Sequence, residues 1–202
     1  MEQNKAHIGR RDLLLLMLGC GDNNLSDGVR GITRLQKLLF LLEREENLTA
    51  SGDGFEFTAY KAGPYSSRLY DDLELLENLG MVKATVTSET TDPESVEIDM
   101  MSFEELMGDG AETLSDGRAV DGLAASDAYE EKAFELTPKG KEVVDKLLES
   151  DEYTPFVNGI RHVKSKYGHY SLNDLLYYVY TKYPAMTTES EIREQVLSRR
   201  RN

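Results

Sequence analysis

The chain has almost no cysteine: Cys20 stands alone among 202 residues. One thiol cannot form an intramolecular disulfide, and such sparing use fits a reducing, cytoplasmic compartment. Long hydrophobic runs are missing too. The longest, Leu13 to Leu18, falls far short of the roughly 20 residues that cross a bilayer as a helix. Arg10-Arg11 precede it, but Asp12 and the lack of a small-residue cleavage site argue against a secretory signal. Histidine is limited to His7, His162 and His169, too scattered for a zinc site that one cysteine could not complete. Gly63-Pro64 is not followed by the Gly-Lys of a phosphate-binding loop, so it reads as a tight turn. No nucleophile–base constellation is present. No catalytic residue, metal or cofactor is expected, and the chain does not read as an enzyme.

Negative charge is what the chain has in excess, and it is concentrated. The net charge is −14. Between Ser88 and Glu131 there are 14 acidic residues against Arg118 alone, so this segment carries −13 and the rest only −1. General surface acidification would be spread along the chain. The acidic stretch is also rich in Ser, Thr and Gly, which suits a flexible, solvated insertion. Within it, Ser102 to Met107 is the one piece patterned as a short helix.

The remainder is patterned for regular structure. Met1 to Ile8 reads as a loose leader, and Arg11 to Leu18 as a helix apolar on most sides, hence buried. Asp22 to Gly28 is a polar loop. From Gly31 to Val82 the chain is best organised. Ile32, Leu35, Leu38, Leu39 and Leu42 recur at helical spacing, with Arg34, Lys37 and Glu43 expected to point outward. Phe55, Phe57 and Ala59 alternate as a strand that Gly63-Pro64 should break. A second helix runs from Ser66, with Leu69, Leu73, Leu75, Leu76 and Leu79 on its apolar side and Gly80 at its end. Met81 to Thr87 and Lys132 to Leu136 are strands expected to pair antiparallel.

Thr137 and Pro138 open a further helix that buries Val143, Val144, Leu147 and Leu148. Tyr153 to Tyr167 is helical, and Ser171 with Asp174 caps another helix carrying Leu172, Leu175, Leu176 and Val179. Tyr177, Tyr178, Tyr180 and Tyr183 could stack bases, but their helical spacing suits core and rim. A last charged helix begins at Thr188 and ends in Arg199–Arg201. The fold class is mainly α with a small β-hairpin (α+β). Residues 1–87 and 132–150 form a winged-helix-like core, 88–131 a long acidic insertion in the wing, and 151–202 a C-terminal helical extension packed on the core.

Leu35 to Leu42 with Gln36-Lys37, then Tyr60 to Ser66 around Gly63-Pro64, then Leu69 to Gly80 resemble the SocA-like antitoxin (Panacea) superfamily. The run Leu175 to Tyr180 with Tyr183-Pro184 is similar to its YwgA-like branch. The match covers about two-thirds of the chain. It implies a small prokaryotic binding module that acts as an antitoxin or adaptor toward a partner protein, often encoded by a neighbouring gene.

Two functional classes follow. A winged helix can bind DNA through its major groove. Here, however, the candidate recognition helix Ser66 to Leu79 presents Arg68 beside Asp71, Asp72, Glu74 and Glu77. An acidic helix forfeits the phosphate neutralisation on which such binding depends. Arg161, Lys164, Lys166 and the terminal arginines offer a basic patch elsewhere. The favoured reading is a protein-interaction module with a basic partner, no membrane and no small-molecule substrate. Its candidate partner-binding residues are Tyr60, Lys61, Tyr65, Arg68 and Tyr70 near the Gly-Pro turn, and Asp92, Glu94, Glu97 and Asp99 in the insertion.

Overall fold

The apolar run Leu13–Leu18 forms the axis of the molecule. In the computed structural model, which describes residues 7–21, 28–52, 54–86, 98 and 132–198, every side chain of this run is buried. A helix that is apolar all round has no face to offer water and must be enclosed. This helix, α1 (Arg10–Gly19), is followed by β1 (Val29–Arg30), α2 (Ile32–Glu45), β2 (Thr58–Tyr60), β3 (Gly63–Tyr65) and α3 (Ser67–Asn78). Then come β4 (Val82–Val86), β5 (Lys132–Leu136), α4 (Pro138–Leu148), α5 (Thr154–Tyr167), α6 (Leu172–Lys182) and α7 (Arg193–Ser198). Short 3₁₀ turns occupy Asp151–Tyr153 and Pro184–Thr187. The architecture is α+β: mainly helical, with a small antiparallel sheet. No helix among the described residues is long and apolar enough to cross a membrane.

The sheet has the order β1-β5-β4. β4 and β5 pair antiparallel from Val82↔Leu136 to Val86↔Lys132, as the alternating sequence predicts. The short strand β1, whose two residues carry no readable pattern, adds to the other side of β5 through Val29↔Phe134. α1 packs on α3, α4, α5 and β5, while α2 packs on α5 and α6. One hydrophobic core therefore joins the N-terminal helices to the C-terminal ones. Caps match the sequence closely. The Thr137 hydroxyl accepts from the Gly140 N–H at 3.2 Å with Pro138 in the first turn, and the Ser171 hydroxyl accepts from the Asp174 N–H at 3.0 Å. Gly80 ends α3 at φ +67°, a left-handed backbone that glycine adopts without penalty.

Several expectations are corrected. Ile8 is buried at 1% exposure and belongs to the core, so the leader is not loose there. Lys37 is 2% exposed rather than outward-facing. The alternation at Phe55–Ala59 gives buried Phe55 and Phe57, but pairing begins only at Thr58. Gly63-Pro64 does not end that structure. It forms the second strand of a hairpin, with Ala59 opposite Pro64, where a strand at the edge tolerates the missing N–H. Leu79 and Leu148, at the last turns of their helices, are exposed at 44% and 43%. The last helix begins at Arg193, because Pro184–Thr187 forms a 3₁₀ turn and the chain after it is not yet helical.

Within the acidic segment Ile98 alone is described. It is helical, 5% exposed and part of the core. The expected Ser102–Met107 helix, the candidate residues Asp92, Glu94, Glu97 and Asp99, most of the Asp22–Gly28 loop and Arg199–Arg201 lie outside the described residues.

Candidate functional site

Two polar residues on the buried side of α2 build the site. Gln36 is 1% exposed; its Oε1 accepts from the Ser66 N–H at 3.0 Å and its Nε2 donates to the Tyr70 hydroxyl at 3.4 Å. Lys37 Nζ donates to the Pro64 carbonyl at 3.0 Å. The Ser66 hydroxyl donates in turn to the Phe55 carbonyl. Buried polar groups are costly unless paired. This pair is tied to the end of β3 and the start of α3, so α2, the hairpin and α3 form one unit. From the other side, the Ser190 hydroxyl and the Glu191 N–H both donate to the Lys61 carbonyl, at 2.9 and 3.0 Å. Tyr180 shares a hydrogen bond with Ser190 at 2.8 Å. Gly63 sits at φ +86° where a Cβ would meet the Tyr180 ring at 2.8 Å.

On this support the five candidate residues of the Gly-Pro region come together. Tyr60, Tyr65 and Tyr70 form a ladder of tilted rings with centroids 5.2 and 5.8 Å apart. Tyr60 and Tyr65 are half-buried, whereas Tyr70 is 9% exposed. The expectation that Tyr70 offers an exposed contact is thus corrected: its hydroxyl reaches inward to Gln36 and its ring backs Tyr65. Lys61 pairs with Glu191 at 3.5 Å. Arg68 pairs with Glu56 at 2.6 Å and donates to the Gly54 carbonyl at 3.2 Å. Both basic side chains remain about one-third exposed at the edge of the ladder.

Charge elsewhere is arranged differently from the sequence expectation. Asp72 does not add to the acidic face of α3. It is 1% exposed and receives Arg10 at 2.7 Å and Arg11 at 3.0 Å, locking α3 to the start of α1. Asp71, Glu74 and Glu77 stay exposed. Among the described residues the expected basic patch is not assembled. Lys164 is 2% exposed and Lys166 is held by Glu45 at 3.0 Å, which leaves Arg161 exposed on that helix.

One cluster could not be read from sequence. Glu45, at the end of α2, accepts from the Tyr167 and Tyr178 hydroxyls at 2.5 Å each, from Tyr183 at 3.2 Å and from Lys166 at 3.0 Å. Burial alone would raise the carboxyl pKa. The bonds from Tyr167, Tyr178 and Lys166 outweigh it and hold the group at about 2. Burial, followed by the neighbouring carboxylate, pushes Tyr183 up to about 12. Tyr178 and Tyr183 are therefore engaged in fastening α2 to α5 and α6, and Tyr180 is buried. This disposition is that of core and rim rather than of a base-stacking platform. Helical spacing indicated that role for the tyrosines. Nothing in the sequence around Glu45 marked it as their shared acceptor.

Among the described residues no group of three or more His, Cys, Asp or Glu side chains could hold a metal ion. His162 instead contacts Glu46 at 2.8 Å. Compared with family models and with curated proteins, the chain gives no match.

Proposed function

We propose that this chain is a protein-interaction module of the antitoxin or adaptor kind, which binds a partner protein through the hairpin face and neutralises or delivers it. The observation that carries this reading is the Tyr60–Tyr65–Tyr70 ladder with Lys61 and Arg68 at its edge. Tyrosine and arginine dominate binding hot spots because they combine large rigid contact area with polar ends. Here the rings are held by a buried framework, so little ordering entropy is lost on binding.

In this reading α1, α2, α3 and the β1-β5-β4 sheet make a winged-helix-like core. β4 and β5 form the wing, residues 88–131 the acidic insertion at its tip, and α5 to α7 the C-terminal extension. The resemblance to the SocA-like superfamily and its YwgA-like branch supports the same function. Of its quoted motifs, Lys37 donates to the Pro64 carbonyl, and Gln36 accepts from the N–H of Ser66, two residues beyond. Thirteen net negative charges in one segment would draw a basic partner in and speed association, while the tyrosine face sets how long the complex lasts. The module works in the cytoplasm without catalysis or cofactor.

DNA binding is the weaker alternative. The exposed side of α3 carries Asp71, Glu74 and Glu77, Arg68 is already paired with Glu56, and Lys164 and Lys166 are inaccessible or engaged. Little unopposed positive charge is left on these helices to neutralise phosphates. The test combines two measurements on the full chain. Affinity capture followed by mass spectrometry should recover one partner with wild type, and about tenfold less of it with Lys61→Glu/Tyr65→Ala. Undiminished recovery would contradict the assigned face. Fluorescence anisotropy with random duplex DNA at ~150 mM salt should show binding weaker than ~10⁻⁴ M; affinity tighter than ~10⁻⁶ M would contradict the class.

A further inference from the structure

Helix α6 and the turn before it border an open pocket of about 370 Å³, lined by His169, Tyr170, Asp174, Tyr177, Tyr178 and Thr181. Its walls are aromatic, with three half-buried tyrosines and an exposed imidazole. Its one carboxylate is Asp174. That side chain accepts from the Ser171 hydroxyl at 2.8 Å, which fixes it at the head of α6. The Tyr178 hydroxyl donates to Glu45 at 2.5 Å. Donation to an anion leaves the phenol ring more electron-rich, and an electron-rich ring face attracts cations more strongly.

The neighbouring rings already draw cations from this chain. Lys166 Nζ lies 4.9 Å from the Tyr167 ring centroid, and Lys182 Nζ lies 5.9 Å from that of Tyr178. Rings and carboxylate therefore select a positively charged ligand, while the Glu45 charge is already taken up by Lys166. The volume of about 370 Å³, within the roughly 300–1,000 Å³ typical of ligand sites, gives ample room for a small organic group.

We infer that this pocket binds an organic cation, a guanidinium or alkylammonium group, held over the tyrosine rings and paired with Asp174. Lys182 beside Tyr178, and Arg34, which donates to the Tyr170 carbonyl at 2.7 Å, oppose a second positive charge and keep the affinity low. The inference uses no residue of the hairpin face and stands apart from the interaction reading.

The experiment is an NMR titration of the full chain with tetramethylammonium, N-acetyl-arginine amide and tert-butyl alcohol, a neutral analogue of similar shape. At least one cation should give saturable shifts confined to residues 169–181, with a millimolar Kd, and the alcohol none. A stronger response to one cation identifies whether the natural headgroup is a guanidinium or an alkylammonium. Asp174→Asn retains the backbone N–H that Ser171 caps, so α6 should persist while affinity falls about three- to tenfold. Tyr177→Leu should weaken binding similarly. Absence of saturable shifts for both cations, equal binding of the alcohol, or undiminished affinity in Asp174→Asn would each overturn the assignment.

Discussion

Replacing Glu45 with glutamine tests the packing of the C-terminal helices on the core. In the wild type one carboxylate, 13% exposed, receives three tyrosine hydroxyls and Lys166. Its pKa falls from 4.5 to about 2. At ~1.36 kcal/mol per unit that shift corresponds to about 3 kcal/mol of folding free energy. Lys166 is 45% exposed, so water screens its share and the tyrosines supply most of the effect. The two short bonds go to different oxygens, so Glu45→Gln keeps an acceptor for one of them and turns an amide N–H₂ toward the donors of the other oxygen. A loss of about 2–3 kcal/mol at pH 7 is expected.

The pH dependence gives the sharper test. A depressed folded-state pKa stabilises the protein above the unfolded value near 4.5, and that stability is lost as pH falls toward 2. The variant has no such term, so the gap between the two proteins should narrow by about 2 kcal/mol from pH 7 to pH 3. Asp12 and Glu43 are raised by burial, Glu77 by partial desolvation of its otherwise exposed side chain, and all three act with the opposite sign, but they are common to both proteins and cancel. Urea unfolding followed by circular dichroism at the two pH values measures the gap. A gap independent of pH would refute the reasoning, because Glu45 would then not carry the acid-sensitive term.

Other outcomes follow from the same packing. Burial, aided by Glu45 at Tyr183, pushes Tyr180 and Tyr183 up to about 12. Stability should therefore hold below pH 10 and fall as pH rises through 12, and melting at stepped pH beside phenolate absorbance checks this. Gly63→Ala combines φ +86° with a Cβ 2.8 Å from the Tyr180 ring. It should cost about 1–3 kcal/mol in urea unfolding, whereas a neutral result would mean the hairpin is loosely held. Ile98→Ala removes a core side chain and should cost about 2–4 kcal/mol. Replacing residues 88–131 with Asn-Gly should still give a cooperative melt, because a short loop closes β4 to β5 at less entropy, but with at least the Ile98→Ala loss.

Local pattern made much of this fold legible. The all-apolar α1, the amphipathic α2 and α3, the alternation within β4 and β5 and the caps at Thr137 and Ser171 depend on neighbours a few residues apart, and the β4–β5 pairing follows from two such alternating strands flanking one insertion. The missing pieces depend on contacts across tens of residues. Lys37 reads as an exposed base on helical spacing, yet the Pro64 carbonyl gives it a buried acceptor. Asp72 reads as part of an acidic face until Arg10 and Arg11 arrive from α1. Pro64 reads as a breaker because sequence alone does not say that its strand is at an edge. The hairpin candidates were legible as a group, since Tyr60 to Tyr70 are close in sequence. The Glu45 cluster was not, since its donors lie more than 120 residues away.

Photocrosslinking from the hairpin face tests the central claim most directly. p-Benzoylphenylalanine placed at Tyr65 in the full chain, irradiated in the native host, should give one dominant protein adduct. Lys61→Glu in the same chain should lower its yield severalfold, and the label at exposed Asp145 on α4 should not produce it. Circular dichroism of each variant should match wild type. Adducts of equal yield from both positions, or crosslinks to nucleic acid from Tyr65, would contradict the account of this chain as a protein-interaction module.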